Sequence, residues 1–345
     1  MIIKDFVLFN PKGKKPTDYV NYIDTSSVED GKLIDIQRLS DNIPSRAQRV
    51  IEEGDILISS VRPILKHNYY VSQHIENGIA STGFIQIRAD GSKVIPQYLY
   101  YFLTEENKVK MYQTIAETSQ STFPSFNKDV IENMAFPDIS LAEQQHIVDI
   151  LGTLDDKIEN LEQKIQTLIK ICELDYKVLI SGKGCNACLS DIASVESGKR
   201  PMTKESIPSN TINIPIIGAS DVMGYTDNVL FDEPILVIGR VGTHGIVQPI
   251  FKRCWASDNT LVIKSKYYAY VYNILKNIDY SSINKGSTQP LITQTDIRNT
   301  PVYIPDLNEL LAFEDKHSMF LIQMYKDQIG KTKEIKNLFL QKFFG

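Results

Sequence analysis

The sequence predicts an α+β protein. Two tandem homologous domains of mixed α/β content are separated by two long antiparallel coiled-coil helices about a pseudo-twofold axis. Three observations predict it. The two halves match segment by segment, each half mixes short β-like runs with a helix, and each is followed by a long stretch of helical periodicity.

The repeat comes first because it decides the domain count. IKDFVLF (3–9) answers LSDIASV (189–195) at an offset of 186, and DILISSVRP (55–63) answers ILVIGRVGT (235–243) at 180. ASTGFIQI (80–87) answers ASDNTLVI (256–263) at 176, and YLYYFL (98–103) answers YVYNIL (270–275) at 172. DVIENMAFPD (129–138) answers DIRNTPVYIPD (296–306) at 167 to 168. Chance matches would not drift in one direction; two homologous domains with small loop deletions in the second would.

Within the first domain, 1–137, strands are expected from Asp55 to Val61 and from Gly83 to Ile87, with a helix from Pro96 to about Ala116. In the second, 183–305, the counterparts are Ile235 to Ile238, Thr260 to Ile263, and a helix from about Tyr267 to Asn277. Between them, 138–182 reads as one long helix. Ser140 and Glu143 make a capping-box pattern at its start, and Ser181-Gly182 stop it. Ile147, Leu151, Leu154, Ile158, Leu161, Ile165, Leu168 and Cys172 follow alternating 4-3 spacing, the seam of a coiled coil. A second helix is expected over 306–345, with Ile322, Tyr325, Ile329, Ile335, Leu338, Phe339 and Phe343 spaced less regularly. Helices of nearly 40 residues span roughly 60 Å at ~1.5 Å per residue, so antiparallel packing would hold the domains apart.

Composition bounds the function classes. The 345 residues suit two domains at ~150 each, and 42% hydrophobic with 23% charged residues suits folded cores. The apolar runs are too short for a membrane span, the first residues do not read as a signal peptide, and four cysteines make no disulfide framework. A cytoplasmic protein without membrane partners is expected. Net charge is −5; by segment, Lys+Arg against Asp+Glu are 15 to 17 in 1–137, 4 to 9 in 138–182, 12 to 10 in 183–305 and 6 to 6 in 306–345. Any nucleic-acid contact must therefore come from local clusters.

Catalytic motifs are missing. There is no Pro-Pro-(Tyr/Phe) base clamp and no Walker A string, and GRVGTHG (239–245) lacks the Gly-Lys-(Ser/Thr) ending of a phosphate loop. Pro137-Asp138 with Asp155-Asp156-Lys157, and Pro305-Asp306 with Glu314-Asp315-Lys316, imitate a nuclease metal site. Their second halves fall on predicted helices, where the carboxylates would not converge on one ion. Cys185-x-x-Cys188 supplies two of the four ligands that structural zinc needs, so no metal site is expected.

FPDISLAEQQHIVDILGTLDDKIENLEQKIQTLIK (136–170) resembles the central conserved region of type I restriction-modification specificity subunits. So do LSDIASVESGKRP (189–201), GDILISSVRP (54–63), GSTQP (286–290) before DIRN, and LFLQKFFG (338–345). The resemblance covers nearly the whole chain, although the chain is short for the family and its second long helix is less regular. It implies a non-enzymatic subunit whose two target-recognition domains, 1–137 and 183–305, each read half of a split, asymmetric double-stranded DNA target. The spacer helices, 138–182 and 306–345, would dock two methyltransferase subunits and, in the complete complex, restriction subunits. The adenine-N6 methylation and cleavage chemistry, with S-adenosylmethionine, ATP and Mg²⁺, would belong to those partners.

On that reading the DNA-contact candidates are polar and basic groups on turns. In the first domain they are Lys12, Lys14 and Lys15, then Arg62, Lys66 and His67, then Ser119, Gln120, Ser121 and Thr122. In the second they are Lys199 and Arg200, then Arg240, Thr243 and His244, then Arg253, Lys285, Ser287, Thr288 and Gln289. Lysines anchor phosphates, whereas Arg and Gln can pair with base edges. Tyr69, Tyr70, Phe123 and Trp255 lie near these loops and could insert into DNA or pack the core. Two rivals remain open: a coiled-coil scaffold binding protein or carbohydrate, and a stand-alone nuclease.

Overall fold

A computed structural model describes residues 1–118, 124–241, 245–283 and 291–345. The chain divides into two compact units, Met1–Ile158 with Lys331–Gly345, and Glu159–Gly330.

In unit 1 one sheet has the strand order Val7–Phe9, Phe84–Ala89, Ile56–Ser59, Tyr69–Tyr70, antiparallel throughout. A second sheet runs Gln37–Leu39, Val20–Ile23, Gly78–Ser81, Ala47–Val50, and its central pair is parallel. The Ile-Leu-Ile run of the 56–59 strand is apolar without alternation because both of its faces are covered. Ile56 and Ile58 face the helices together with Ile85, Ile87, Tyr98 and Phe102, while Leu57 packs with Ile23, Val71 and Phe84 toward the second sheet.

Unit 2 repeats the plan. Its first sheet has the order Ser194–Ser197, Thr260–Lys264, Ile235–Gly239, Val247–Ile250. Its second is Val222–Thr226, Ile214–Ile217, Trp255–Ala256, again with one parallel pair. Leu236, Ile238, Leu261 and Ile263 face the helices, and Ile235, Val237 and Val262 face the second sheet. The register matches too: Ile87 pairs with Ile56 as Ile263 pairs with Leu236. The drifting repeat is thus a duplicated fold, strand for strand in the first sheet, while the second sheet has four strands in unit 1 and three in unit 2.

The central helix is Leu141–Ile180, 40 residues. Ser140 and Glu143 cap its start reciprocally, with the Ser140 amide donating to Glu143 at 2.9 Å, and Gly182 beyond its end takes a φ of +70°. Leu151, Ile158, Leu161, Ile165 and Cys172 are buried; Ile147, Leu154 and Leu168 are half-buried. Within unit 1 its first turns run antiparallel to residues 331–345: Leu151 shares a core with Phe344, and Asp155 accepts a hydrogen bond from the Lys336 ammonium at 2.5 Å.

Two expected helices are broken. The one from Pro96 divides into Pro96–Thr104 and Glu106–Glu117, because Glu105 takes an extended ψ of 142° and its buried carboxylate caps Asn107 and Lys108. The one from 306 divides into Leu307–Lys316 and Met319–Phe344 at His317-Ser318. There His317 is buried and lies 2.9 Å from Asp175, which also holds Lys316 at 2.6 Å. Ile335 and Leu338, placed in the second apolar series, are exposed. Among the described residues no helix is long and apolar enough to cross a membrane.

Candidate nucleic-acid interface

In unit 2 the 194–197 strand ends at Gly198, where a Cβ would lie 2.1 Å from the Ser257 carbonyl oxygen and 2.6 Å from that of Ala256. Only glycine fits so close an approach of two backbones. The Gly198 amide donates to the Thr260 carbonyl at 3.1 Å and the Lys199 amide to that of Ala256 at 2.9 Å. The Trp255 indole donates to the Lys199 carbonyl at 2.6 Å. Trp255 therefore braces the turn from which exposed Lys199 and Arg200 project.

Arg240 follows the 235–239 strand. Its amide donates to Asn259 at 3.0 Å, its carbonyl accepts from Ile292 at 2.9 Å, and its enclosed Nε finds no acceptor among the described residues. A shallow cleft of about 420 Å³ opens here, lined by Gly218, Asp221, Met223, Val241, Ser257 and Asn259. The 256–260 turn thus ties Lys199, Arg200 and Arg240 into one cluster. Arg253 stands apart from these bonds, in an exposed ion pair with Asp232 at 2.9 Å.

Unit 1 builds the equivalent place from different residues. After the 7–9 strand, Asn10 adopts a φ of +49° and exchanges hydrogen bonds with the Gln86 backbone at 2.8 and 3.0 Å. Gly13 then passes so near Val50 that a Cβ would meet it at 2.7 Å. Lys12, Lys14 and Lys15 are exposed on this segment, with the Lys15 ammonium reaching the Ala47 carbonyl at 3.2 Å. The 56–59 strand leads into Arg62 and Lys66, both exposed and both left-handed (φ +47° and +53°), with half-buried His67 beside them. Asn68, only 4% exposed, accepts the Ser59 amide at 2.9 Å and so fixes this loop to its strand.

Ser119, Gln120, Ser121, Thr122, Phe123, Thr243, His244, Lys285, Ser287, Thr288 and Gln289 lie outside the described residues. Residues that directly follow two of those stretches are placed, and equivalently. Pro124 accepts the Arg62 amide at 3.0 Å and Ser125 bridges Val61; Leu291 bridges Val241. Tyr69 and Tyr70 serve the core: Tyr69 is buried, Tyr70 packs against Tyr100 at 5.9 Å, and burial raises both phenol pKa values.

Beneath the unit 1 loops lies a buried polar anchor. Asp55 is fully buried and takes two hydrogen bonds from Arg88, at 2.8 and 2.9 Å, one from the Gln86 side chain at 2.8 Å and one from the Glu52 amide at 2.8 Å. The bond to Asp55 raises the Arg88 pKa further. Sequence reasoning missed this anchor, the Asn68 brace, and the exposed edge strand carrying Gln37 and Arg38, where Arg38 stacks 3.9 Å over Tyr19. Only Arg88 and Asp55 left a signal, as charges at the ends of otherwise apolar strands.

The nuclease-like strings have structural employment. Asp155 accepts from the Tyr101 hydroxyl at 2.8 Å as well as from Lys336, and Asp306 caps Asn308 and Glu309 at 2.9 Å. Glu314 accepts the Ala269 and Tyr270 amides at 3.0 and 2.7 Å, while Lys316 pairs with Asp175. Among the described residues no three His, Cys, Asp or Glu side chains group as metal ligands.

The family described as "Type I restriction modification DNA specificity domain" matches residues 2–170 and, separately, 186–338, one match for each half of the repeat. The chain belongs to this family. The family is one of DNA specificity domains, not of an enzyme. The specificity subunit of the type I restriction enzyme HindI of Haemophilus influenzae is 32% identical over 160 residues, 46% of this chain and 35% of that subunit. The MjaIX specificity subunit of Methanocaldococcus jannaschii is 24% identical over 394 residues, 96% of this chain and 85% of that one. The crystal structure of a type I restriction-modification S subunit from M. genitalium shares the fold at a TM-score of 0.61 and 13% identity, covering 100% of this chain and 95% of that chain. The match thus spans about a third of the Haemophilus subunit.

Proposed function

We infer that this chain is the DNA-specificity subunit of a type I restriction-modification complex. Its recognition domains, 1–137 and 183–305, each read a few base pairs of a split target, and the helices of 138–182 and 306–345 dock two methyltransferase subunits and the restriction subunits. The carrying observation is the duplicated loop site: strand exits at Asn10 to Lys15 and at Ser60 to His67 in unit 1 correspond to those at Gly198 to Arg200 and at Arg240 in unit 2. The frame is the same and the side chains differ, which suits two unlike half-sites. Lysines on these turns suit phosphates, and Arg62, Arg200 and Arg240 suit base edges.

Docking is supported by the central helix, where Ile171, Leu174 and Val178 stand 42%, 49% and 75% exposed at helical spacing. An apolar stripe of this kind favours a helical partner over water.

The test is a methylation map of a methylation-free host carrying this chain and its neighbouring methyltransferase. Two defined sequence blocks around an unspecified gap are expected. Exchanging residues 1–137 for another family domain should alter one block only; an unchanged motif would overturn readout by two domains. If the chain is instead a scaffold for a neutral ligand such as a sugar, its binding will be nearly independent of salt, whereas DNA affinity falls steeply with it.

A further inference from the structure

The tip of the unit 1 loop is apolar and is flanked along the chain by two cations. Ile64 and Leu65 are each 49% exposed, consecutive in sequence, and bracketed by exposed Arg62 and Lys66. Isolated exposed aliphatics are ordinary. This pair is different because the backbone is shaped to keep it out. Arg62 and Lys66 both occupy the left-handed region, which side-chain-bearing residues seldom adopt without support. The support is dense: Leu65 donates to the Arg62 carbonyl at 3.0 Å, Lys66 to that of Pro63 at 2.9 Å, and Ile64 to the Gln113 side chain at 3.2 Å. Pro63 is buried beneath the turn, and Asn68 ties its far end to the 56–59 strand. The turn also packs against the Glu106–Glu117 helix, which leaves about half of each aliphatic side chain outside.

We propose that Ile64 and Leu65 form an aliphatic wedge that enters the DNA half-site read by unit 1 and partly unstacks one base-pair step, while Arg62 and Lys66 hold the flanking phosphates. The proposal rests on the DNA-specificity reading and adds a contact that basic residues cannot make. Duplex DNA suits the tip because it sheathes an apolar base stack in negative charge, the complement of two aliphatics between two cations. Apolar wedges beside basic side chains unstack and kink DNA in this way. Two mechanical features favour insertion: the tip is pre-shaped, so little entropy is lost on entry, and it projects from a strand end rather than from a free loop.

The experiment uses the complex of the full chain with its methyltransferase and duplexes bearing its mapped target. 2-Aminopurine replaces, one at a time, each base of the unit 1 half-site except the methylated adenine. The expected result is a fluorescence rise at one step with the wild type and its loss in the Ile64→Ala/Leu65→Ala double variant, with the rise retained by Ile64→Val/Leu65→Met. Because both residues lie at the surface, the alanine variant should fold, and a thermal melt by circular dichroism that matches the wild type reports that it does. Equal fluorescence in wild type and double variant, with binding intact, overturns the wedge and leaves DNA specificity standing. Loss of methyltransferase co-purification in the double variant also overturns it, by making the pair a protein contact. Failure of the wild-type complex to bind any duplex overturns the wedge together with the reading beneath it.

Discussion

Replacing Gly198 by alanine tests the construction of the unit 2 site at its tightest point. The added methyl would sit 2.1 Å from the Ser257 carbonyl oxygen, against the ~3.4–4 Å of ordinary contact, so one backbone must move by more than an ångström. That movement breaks or stretches the Gly198–Thr260 and Lys199–Ala256 hydrogen bonds, at about 0.5–1.5 kcal/mol each, and strains the Trp255 brace on Lys199. A loss of about 2–3 kcal/mol is expected, lowering the unit 2 melting temperature by roughly 4–10 °C. The chain holds a single tryptophan and it lies in this turn, so its emission reports both unfolding and a displaced loop. Gly198→Ala should shift the Trp255 emission, lower the midpoint and, on the proposed function, blur only the half of the methylation motif assigned to unit 2. Gly182→Ala is the control: its Cβ meets nothing within 4 Å, and its left-handed φ limits the cost to about 1 kcal/mol. Unchanged emission, midpoint and motif in Gly198→Ala would refute the close-approach argument.

Three further outcomes follow from the geometry. Asp55→Ala removes a buried acceptor from Arg88, Gln86 and the Glu52 amide, while Arg88 keeps its ion pair with Glu52 at 2.7 Å and Gln86 its bond to the Val50 carbonyl. Unit 1 should lose about 2–3 kcal/mol in denaturant titration, against near-zero loss for a surface change such as Lys14→Ala. Burial holds the His317 pKa below its ordinary 6.5, despite the opposing pull of Asp175 and with Lys316 adding to the lowering. The unfolded chain then binds the proton first, so unit 2 stability should fall as pH drops through 6.5, and His317→Gln should flatten that slope in melts between pH 7.5 and 5.5. Burial also pushes the Cys172 and Cys254 thiols up to about 11 and about 12, while Cys185 is exposed and Cys188 half-buried; a thiol reagent at pH 8 should label the latter two first, as peptide mapping would show.

The duplication was legible in the residues, because a repeat needs only that like side chains recur in order. The drift of the offset foresaw where the 7–9, 56–59 and 84–89 strands meet their counterparts. The central helix was legible because its periodicity is long and its ends carry a capping box and a glycine. The helix breaks at Glu105 and His317 were not legible, since neither proline nor glycine marks them and each is made by a polar side chain that is itself buried. The second sheets were missed because strands such as Gln37–Leu39 and Trp255–Ala256 are too short to show alternation. For the site, charge on turns pointed to Lys199, Arg200 and Arg62. The residues that hold those turns, Trp255 and Asn68, act through single hydrogen bonds that no sequence pattern announces.

Unit 1 is closed by residues far from it along the chain: Phe344 lies in its core with Tyr98, Phe102 and Phe136, and Lys336 binds Asp155. A ribosome delivers residues in order, so the first unit to be made is the last to be completed. At about 5–20 residues per second, the interval between the appearance of Ile158 and that of Gly345 is roughly ten to forty seconds. Through that interval the aromatic face awaiting Phe344 stands open to whatever else is nearby, a chaperone or a second nascent chain. Unit 2, contiguous from Glu159 to Gly330, has no such wait.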